Sequence, residues 1–373
     1  MLSVQIEGDT WDTWKTASVS ASLDTNSSQF QFTTSHPGPV NFPFRAGQAV
    51  RIYSGPHIVM DGFIEKLGVS MSTAGHIVNI AGRDKLGDLV DSSLPDSVKS
   101  IAGSFSLLEL CQMVIRALGP AIRVIDKSHG YATKKHTAQK TSKQTQKCMD
   151  FLVEFAAIAQ CYLISSSTGD LIIYRAPGEH SGCSLNHFED SSLNNVITSE
   201  INVSTDQRFN QYKLKTQANA ASSSSGGAIF SEPVPDSAIS SFGIATDPEI
   251  RVSRITEIIT EESMGMGSLT DRAHEEANLR RARGSTYTAS LIGALNEKDE
   301  PWQIGTLSTV TDVFAGISGE MLIKSVKISA DLKGEKTSLE LVPPDAFASV
   351  EQRRKPRRRK KDKDDDLFNI GGE

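Results

Sequence analysis

The sequence predicts a mainly β protein with an α+β insert: two small antiparallel β-barrels on either side of a helical module. Three observations carry that prediction. Residues 1–98 and 178–350 are built from short runs that alternate apolar and polar side chains, broken by Gly-rich turns; in the first this is the signature of a small antiparallel barrel or sandwich, and in the second a barrel is the simplest account. Residues 99–177 change to the three-to-four spacing of amphipathic helices. Hydrophobic residues make up 38% of the 373 and aromatics only 6%, so the cores are modest and divide among domains of ~100–150 residues.

In the first unit, Val50 and Ile52 alternate in AVRIYSG, and Ser54-Gly55-Pro56 supplies a turn. The following strand, HIVMDGFIEKL, carries Asp61-Gly62 at its centre. A glycine inside a strand pattern marks a bulge or a sharp bend, and one is expected there. LGVSMS and HIVNIAG pair around a turn at Ser72-Thr73-Ala74-Gly75, and Ser92-Ser93-Leu94-Pro95-Asp96 closes the unit. Leu86 and Leu89, just after Arg83-Asp84, are expected to tuck under this barrel.

In the insert, Ser106 stands three residues before Glu109, the spacing of a capping box, at the head of SLLELCQMVIRALGP. Leu107, Leu110, Val114 and Leu118 share one helical face, and Gly119-Pro120 stops it. IRVID reads as a short strand, followed by a polar Lys/Thr/Gln-rich loop. A second helix, TQKCMDFLVEFAAIAQ, places Cys148, Phe151, Leu152, Phe155 and Ala159 on one stripe. YLISSSTGDLIIYRAP is a hairpin turning at Ser167-Thr168-Gly169-Asp170.

The second barrel domain, 178–350, is interrupted twice. QANAASSSSGGA (217–228) is too small and polar to pack and predicts a mobile loop. SLTDRAHEEANLRRARG predicts a charged helix over about 268–283, starting near Ser268 or Thr270 and stopped by Gly284. Its apolar face is thin (Leu269, Ala273, Ala277), so it packs on one side only. Strands resume in STYTASLIGAL, WQIGTLSTVT, EMLIKSVKISADL and KTSLELVPP, with Gly334 in the last hairpin. Residues 351–373 form a charged arm, predicted to be flexible by its charge density and Pro356.

That arm carries nine basic residues between Arg353 and Lys363, which by itself points to nucleic acid. The whole chain has a net charge of −6; the arm contributes +3, leaving −9 on the body. A nucleic-acid binder shows a basic face on its folded domain, and stacking modules interleave aromatics, of which residues 351–366 have none. Nucleic-acid binding is therefore the weaker reading. Cys111, Cys148, Cys161 and Cys183 have no paired spacing, which favours a reducing compartment, or at least a fold that does not depend on disulfides. The N-terminus MLSVQIEGDTW lacks the basic and apolar regions of a signal peptide, and no apolar run reaches the ~20 residues of a membrane span. A soluble protein made in a cytoplasm is expected.

Candidate chemistry is sparse. His180, Cys183 and His187 in HSGCSLNH are close enough in sequence to suggest a metal, but no companion CxxC or HxxxH completes a zinc set, and the competing reading is a polar loop entering the second barrel. His274-Glu275-Glu276 lacks the second histidine of HExxH, and GxSxG, GxGxxG and GxxxxGK[ST] are missing. Acidic residues are plentiful, but sequence alone makes no pair converge as a glycosidase dyad must. Neither a catalytic group, a cofactor nor a metal is expected. Arg280, Arg281 and Arg283 gather at the end of the charged helix, where they offset the helix dipole or contact an acidic neighbouring subunit.

The order of these parts, with AGQAVRIYSGPHIVMDGFIEKL, GRDKLGDLVDSS and WQIGTLSTVTDVFAGISGEMLIKSVKISADLKGEKTSLELVPPDAF, resembles the central baseplate hub family of Mu-like contractile-tailed bacteriophages. The wider group takes in the hub of T-even phages, a late-control tail protein, and the N-terminal part of type VI secretion spikes. The resemblance covers most of residues 1–348 and rests on order and spacing; no single residue is diagnostic. It implies a hub-type tail protein fold and a structural role in the virion, with nothing catalytic to carry over. It further implies a homotrimer with two similar barrels per subunit, a pseudo-sixfold ring joining the sixfold tail tube to the trimeric spike. The implied partners are the tube, the spike, other baseplate proteins and the tape measure protein, with DNA only in transit through the channel.

A tail-associated cell-wall hydrolase on the same scaffold is the alternative; it calls for a further catalytic domain. Within the arm, Arg353, Arg354, Lys355, Arg357, Arg358 and Arg359 are expected to meet an acidic surface on a neighbouring tail protein. Leu367, Phe368 and Ile370 would dock as a small apolar plug, and Arg280 and Arg281 are further contact candidates.

Overall fold

A computed structural model describes residues 2–36, 44–72, 75–119, 121–141, 145–176, 178–217, 239–260, 269–344 and 346–347. Several expectations fall outside these residues: Thr73-Ala74 of one turn, Pro120, the loop from 218 onward, Ser268, and the whole arm 351–373.

The protein is mainly β with an α+β insert. The first unit contains β1 (Leu2–Ile6), β2 (Asp9–Trp11), β3 (Thr16–Ser22), β4 (Gln29–His36), β5 (Ala49–Ser54), β6 (His57–Ser72) and β7 (Gly75–Asp84). The insert follows with α1 (Gly87–Asp91), β8 (Ser100–Ser106), α2 (Leu107–Leu118), β9 (Val124–Lys127), β10 (Lys135–Thr141), α3 (Cys148–Ile158), β11 (Tyr162–Ser165) and β12 (Leu171–Tyr174). The last part is β13 (His180–His187), β14 (Val196–Val203), β15 (Gln211–Gln217), β16 (Ile239–Thr246), β17 (Ile255–Thr260), α4 (Leu269–Arg283), β18 (Ser285–Ile292), β19 (Leu307–Asp312), β20 (Ile317–Asp331) and β21 (Gly334–Val342).

The two β units are one sheet. β3 pairs antiparallel with β20, from Ser22↔Ser325 to Thr16↔Asp331, and this seam joins the strands of both units into a 13-stranded sheet. Their inward residues form one apolar cluster, in which Phe30, Phe32, Ile52 and Ile80 of the first unit are continuous with Val310, Ile328 and Leu341 of the second. In the second unit the ladder runs β14–β18–β21–β20–β19–β13. Its free ends, β13 and β14, are stapled by side chains. Asn195 accepts from the Asn186 amide at 2.8 Å and donates to the Ser184 carbonyl at 2.7 Å. Asn194 does the same with the amide and carbonyl of Phe188, at 2.6 and 3.0 Å.

The bend expected at Asp61-Gly62 is displaced. β6 runs straight through it, and its register shifts fall on either side, leaving Val59 and Glu65 unpaired in the ladder. Gly62 serves close approach instead: a Cβ there would lie 2.1 Å from the Arg83 carbonyl oxygen of β7. Leu86 and Leu89 also depart from expectation. They are buried in the core of the insert, with Leu110, Val114, Phe151 and Leu152, because α1 turns away from the sheet onto α3.

Within the insert the helices follow the sequence. The Ser106 hydroxyl accepts from the Glu109 amide at 3.2 Å, the Glu109 carboxylate accepts from the Ser106 amide at 2.8 Å, and Gly119 closes α2 in the left-handed region at φ 86°. The polar loop expected after IRVID instead holds β10, paired antiparallel with β8. Neither strand alternates apolar and polar residues in sequence, so only the ladder reveals them. A second small unit was also illegible: β16–β15–β17 form a separate sheet, covered on one face by α4. Ala273 and Ala277 of α4 pack on Tyr212, Leu214 and Ala245, as its thin apolar face required. Gly243 permits this, since a Cβ there would lie 2.1 Å from the Leu269 carbonyl carbon.

Candidate assembly interface

A buried polar cluster joins four strands of the second β unit. Asp312, fully buried on β19, accepts from the Tyr287 hydroxyl at 2.8 Å and from the Ala315 amide at 2.9 Å. His187 Nδ1 lies 3.1 Å from the same carboxylate and 3.0 Å from the Ser199 hydroxyl. Burial alone would raise a carboxyl, but the bonds from Ser199, the Ala315 amide, Tyr287 and His187 outweigh it and hold Asp312 at about 2. Tyr287 is pushed up, first by burial and then by its bond to that anion. Ser199 and Asp312 meet the same ring nitrogen of His187, whereas a Ser-His-Asp relay needs one partner on each nitrogen. The cluster clamps β13 and β19 to β14 and β18; it does not build a nucleophile.

His180, Cys183 and His187 lie along β13, not in a loop. A strand rise of ~3.3 Å per residue separates the two histidines by roughly 20 Å, too far for one ion. Cys183 is buried, His180 Nε2 lies 3.2 Å from Thr309 Oγ1, and His187 belongs to Asp312. Among the described residues no group of three or more His, Cys, Asp or Glu is placed to hold a metal. All four cysteines are buried and free, and burial pushes the Cys161 thiol up to about 12. Arg83 joins the bulged Glu65 at 2.8 Å and reaches Asp91. Asp84 is buried and its carboxyl raised by that burial, while it accepts from the Ser28 amide at 2.6 Å.

The arginines ending α4 have partners inside the chain. Arg280 bonds Glu276 one turn back at 2.6 Å, and Arg283 reaches Asp24 at 3.4 Å. Arg281 bonds Glu249 at 2.7 Å; the other Glu249 oxygen takes Arg208, which also forms a buried pair with Asp247 at 2.8 Å. Arg353, Arg354, Lys355, Arg357, Arg358, Arg359, Leu367, Phe368 and Ile370 lie outside the described residues.

Among the described residues three apolar surfaces stand uncovered. Strand β14, at the end of the large sheet, exposes Ile197, Ile201 and Val203. The face of β16–β15–β17 away from α4 exposes Phe242, Ile255 and Ile259, beside Lys215 bonded to Glu257 at 2.7 Å. Between α3 and α4 runs a groove of about 320 Å³ with Val153, Ala157, Leu214, Ile258 and Leu279 in its walls. The last two were not signalled by sequence, because each is assembled from segments distant in the chain, and the exposure of β14 depends on its place at the end of the sheet. Among the described residues no helix is long and apolar enough to cross a membrane.

Known proteins resemble the chain along nearly its whole length. Residues 1–84 match the family described as Mu phage baseplate assembly protein GpP-like, N-terminal. Baseplate hub protein gp44 of Escherichia phage Mu is 24% identical over 363 residues, covering 96% of this chain and 92% of that one. The 43 kDa tail protein of prophage MuSo2 from Shewanella oneidensis superposes with a TM-score of 0.76 at 23% identity, over 92% of this chain and 98% of that one. A type VI secretion component of E. coli, itself similar to T4 tail proteins gp27 and gp5, gives 0.53 at 10% identity, over 93% and 78%. The fold is thus one shared with phage tail proteins and with a type VI secretion component. Within that class the chain is similar over nearly its whole length to a baseplate hub protein of a Mu-like phage, and its first 84 residues match a Mu baseplate assembly family.

Proposed function

We propose that three copies close into a ring around the DNA channel, each giving two similar barrels, so that six barrels meet the sixfold tail tube while threefold symmetry suits the trimeric spike. The observation that carries this reading is the β3–β20 seam, which fixes both β units of one chain in a single register and so lets them act as paired positions of a ring. The Asn194–Asn195 staple supports closure of the second barrel, and a closed barrel leaves no edge for runaway pairing. The exposed apolar residues of β14 are of the kind a repeated subunit contact buries. The role is structural and non-catalytic, in keeping with a His187 cluster that lacks relay geometry. Tube, spike, other baseplate proteins and the tape measure protein are the partners. The arm's basic stretch meets one of them, Arg280 and Arg281 lie at another contact, and the arm's apolar end serves as an anchor. Light scattering of the purified chain tests the ring: a trimer that persists in high salt is expected, and a monomer at all concentrations overturns it.

A further inference from the structure

We infer that copies of this chain meet through the tip of the β20–β21 hairpin, which seats Leu332 of one copy in the groove between α3 and α4 of the next. This rests on the trimeric ring and names a contact that closes it.

The hairpin tip is a preformed apolar knob. Leu332 is 89% exposed, more than any other large apolar side chain among the described residues. The turn that carries it is fixed. The Lys333 amide donates to the Asp331 carboxylate at 2.7 Å, and Gly334 takes φ 127°, a region that favours glycine. Nothing in the turn of ADLKGEK calls for a leucine, since a solvated tip favours Gly, Asn or Asp. Ile292 widens the knob: it is 79% exposed on β18 and pairs with Lys336 of β21, at the same end of the sheet.

The groove supplies the matching hollow. Its volume of about 320 Å³ is at the lower end of the ~300–1,000 Å³ of specific ligand sites and admits a leucine, and Val153, Ile258 and Leu279 give it apolar walls. Its charges are of both signs, Arg272 being offset by Glu275 and by Glu276, which is bonded to Arg280 at 2.6 Å. A purely acidic or purely basic segment would therefore meet like charge. Leu332 has Asp331 before it and Lys333 after it, and neither makes an ion pair among the described residues.

Position decides which copy fills the groove. Leu23 lines the groove, and its amide donates to the Lys324 carbonyl at 2.9 Å, so this end of β20 lies at the groove. Leu332 stands eight positions beyond Lys324, at the far end of a strand paired on both sides, with β3 and β21. At ~3.3 Å per residue the separation is roughly 25 Å. A hairpin held by that ladder does not fold back, so Leu332 does not reach its own groove. Knob and groove at opposite ends of one hairpin make a head-to-tail contact, the heterologous kind from which closed rings are built. Such an anchor sits inside a wider contact, since a stable interface buries ~800 Å² on each side.

The test uses the full-length chain carrying Val153→Cys and Leu332→Cys, since all native cysteines are buried. Mild oxidation is expected to link chains to one another, giving covalent dimers and trimers on non-reducing gels and a 153–332 disulfide by peptide mass mapping. A yield no higher than that of Leu332→Cys with Leu193→Cys, a site 61% exposed, overturns the proposal. Linkage found only tip to tip, between two 332 positions, overturns it as well. Leu332→Asp, at an exposed tip, is expected to raise the concentration for half-assembly at least tenfold with unchanged circular dichroism; unchanged assembly speaks against the contact. Light scattering of the wild-type chain reads the ring separately. A salt-resistant trimer without the 153–332 link sinks this contact alone, and a monomer at all concentrations sinks the ring and the contact with it.

Discussion

Asp312 shows how one residue holds the second β unit together. A buried carboxylate is tolerated only when its oxygens are satisfied, and here an amide, a phenol, an imidazole and a hydroxyl surround it. Its folded value of about 2 lies below the unfolded 3.8. The stability this supplies, at most about 2 kcal/mol, is therefore complete above pH ~4 and disappears as pH falls through 2. Asp312→Asn keeps the shape but loses the anion, and a loss of roughly 1–3 kcal/mol is expected at pH 7. Denaturant titrations at pH 7 and pH 2.5 check this: the gap between wild type and variant should narrow in acid. A gap that is absent at pH 7, or widens in acid, removes Asp312 from the account. Sequence offered no hint of the cluster, since residues 187, 199, 287 and 312 meet only through strand pairing.

Among the elements, α2 is the most legible and the β8–β10 ribbon the least. Ser106 and Glu109 announce the helix start in four residues because capping is local chemistry, and the structure shows both reciprocal bonds. Ser106→Ala removes one of them and leaves a first-turn amide without its partner. A cost of about 1 kcal/mol is expected, seen as a lower denaturation midpoint with faster hydrogen exchange in the first turn of α2. Unchanged exchange there would show that the cap is dispensable. The ribbon behaves oppositely. KHTAQKT has no apolar alternation, and its pairing with SIAGSFS is fixed by the fold around it. The Asp61-Gly62 reading failed for a related reason: glycine marks either a bulge or a close backbone approach, and only the position of β7 distinguishes them.

Across the whole molecule, charge and connectivity set the expectations. The body carries −9 without the arm, and a wall that lets DNA slide gains from making few phosphate contacts, because each one adds counterion-release affinity. A chain cut after Val350 is expected to show no tight duplex binding at low salt by fluorescence anisotropy. Tight binding would contradict the channel reading and return weight to nucleic-acid recognition. The 13-stranded sheet also implies that the two β units unfold together, since their cores are continuous across β3 and β20.

The sequence by itself determined the alternation of β and helical regions, the capped helix α2, the one-sided packing of α4 and the resemblance to baseplate hubs. All of these rest on local periodicity, capping or the order of parts along the chain. Only the tertiary structure decided that two β units share one sheet, that Leu86 and Leu89 serve the insert, that Asp312 is clamped by four strands, and that a groove opens where the described chain ends. Those features depend on pairing between segments up to some three hundred residues apart, which no window of sequence contains.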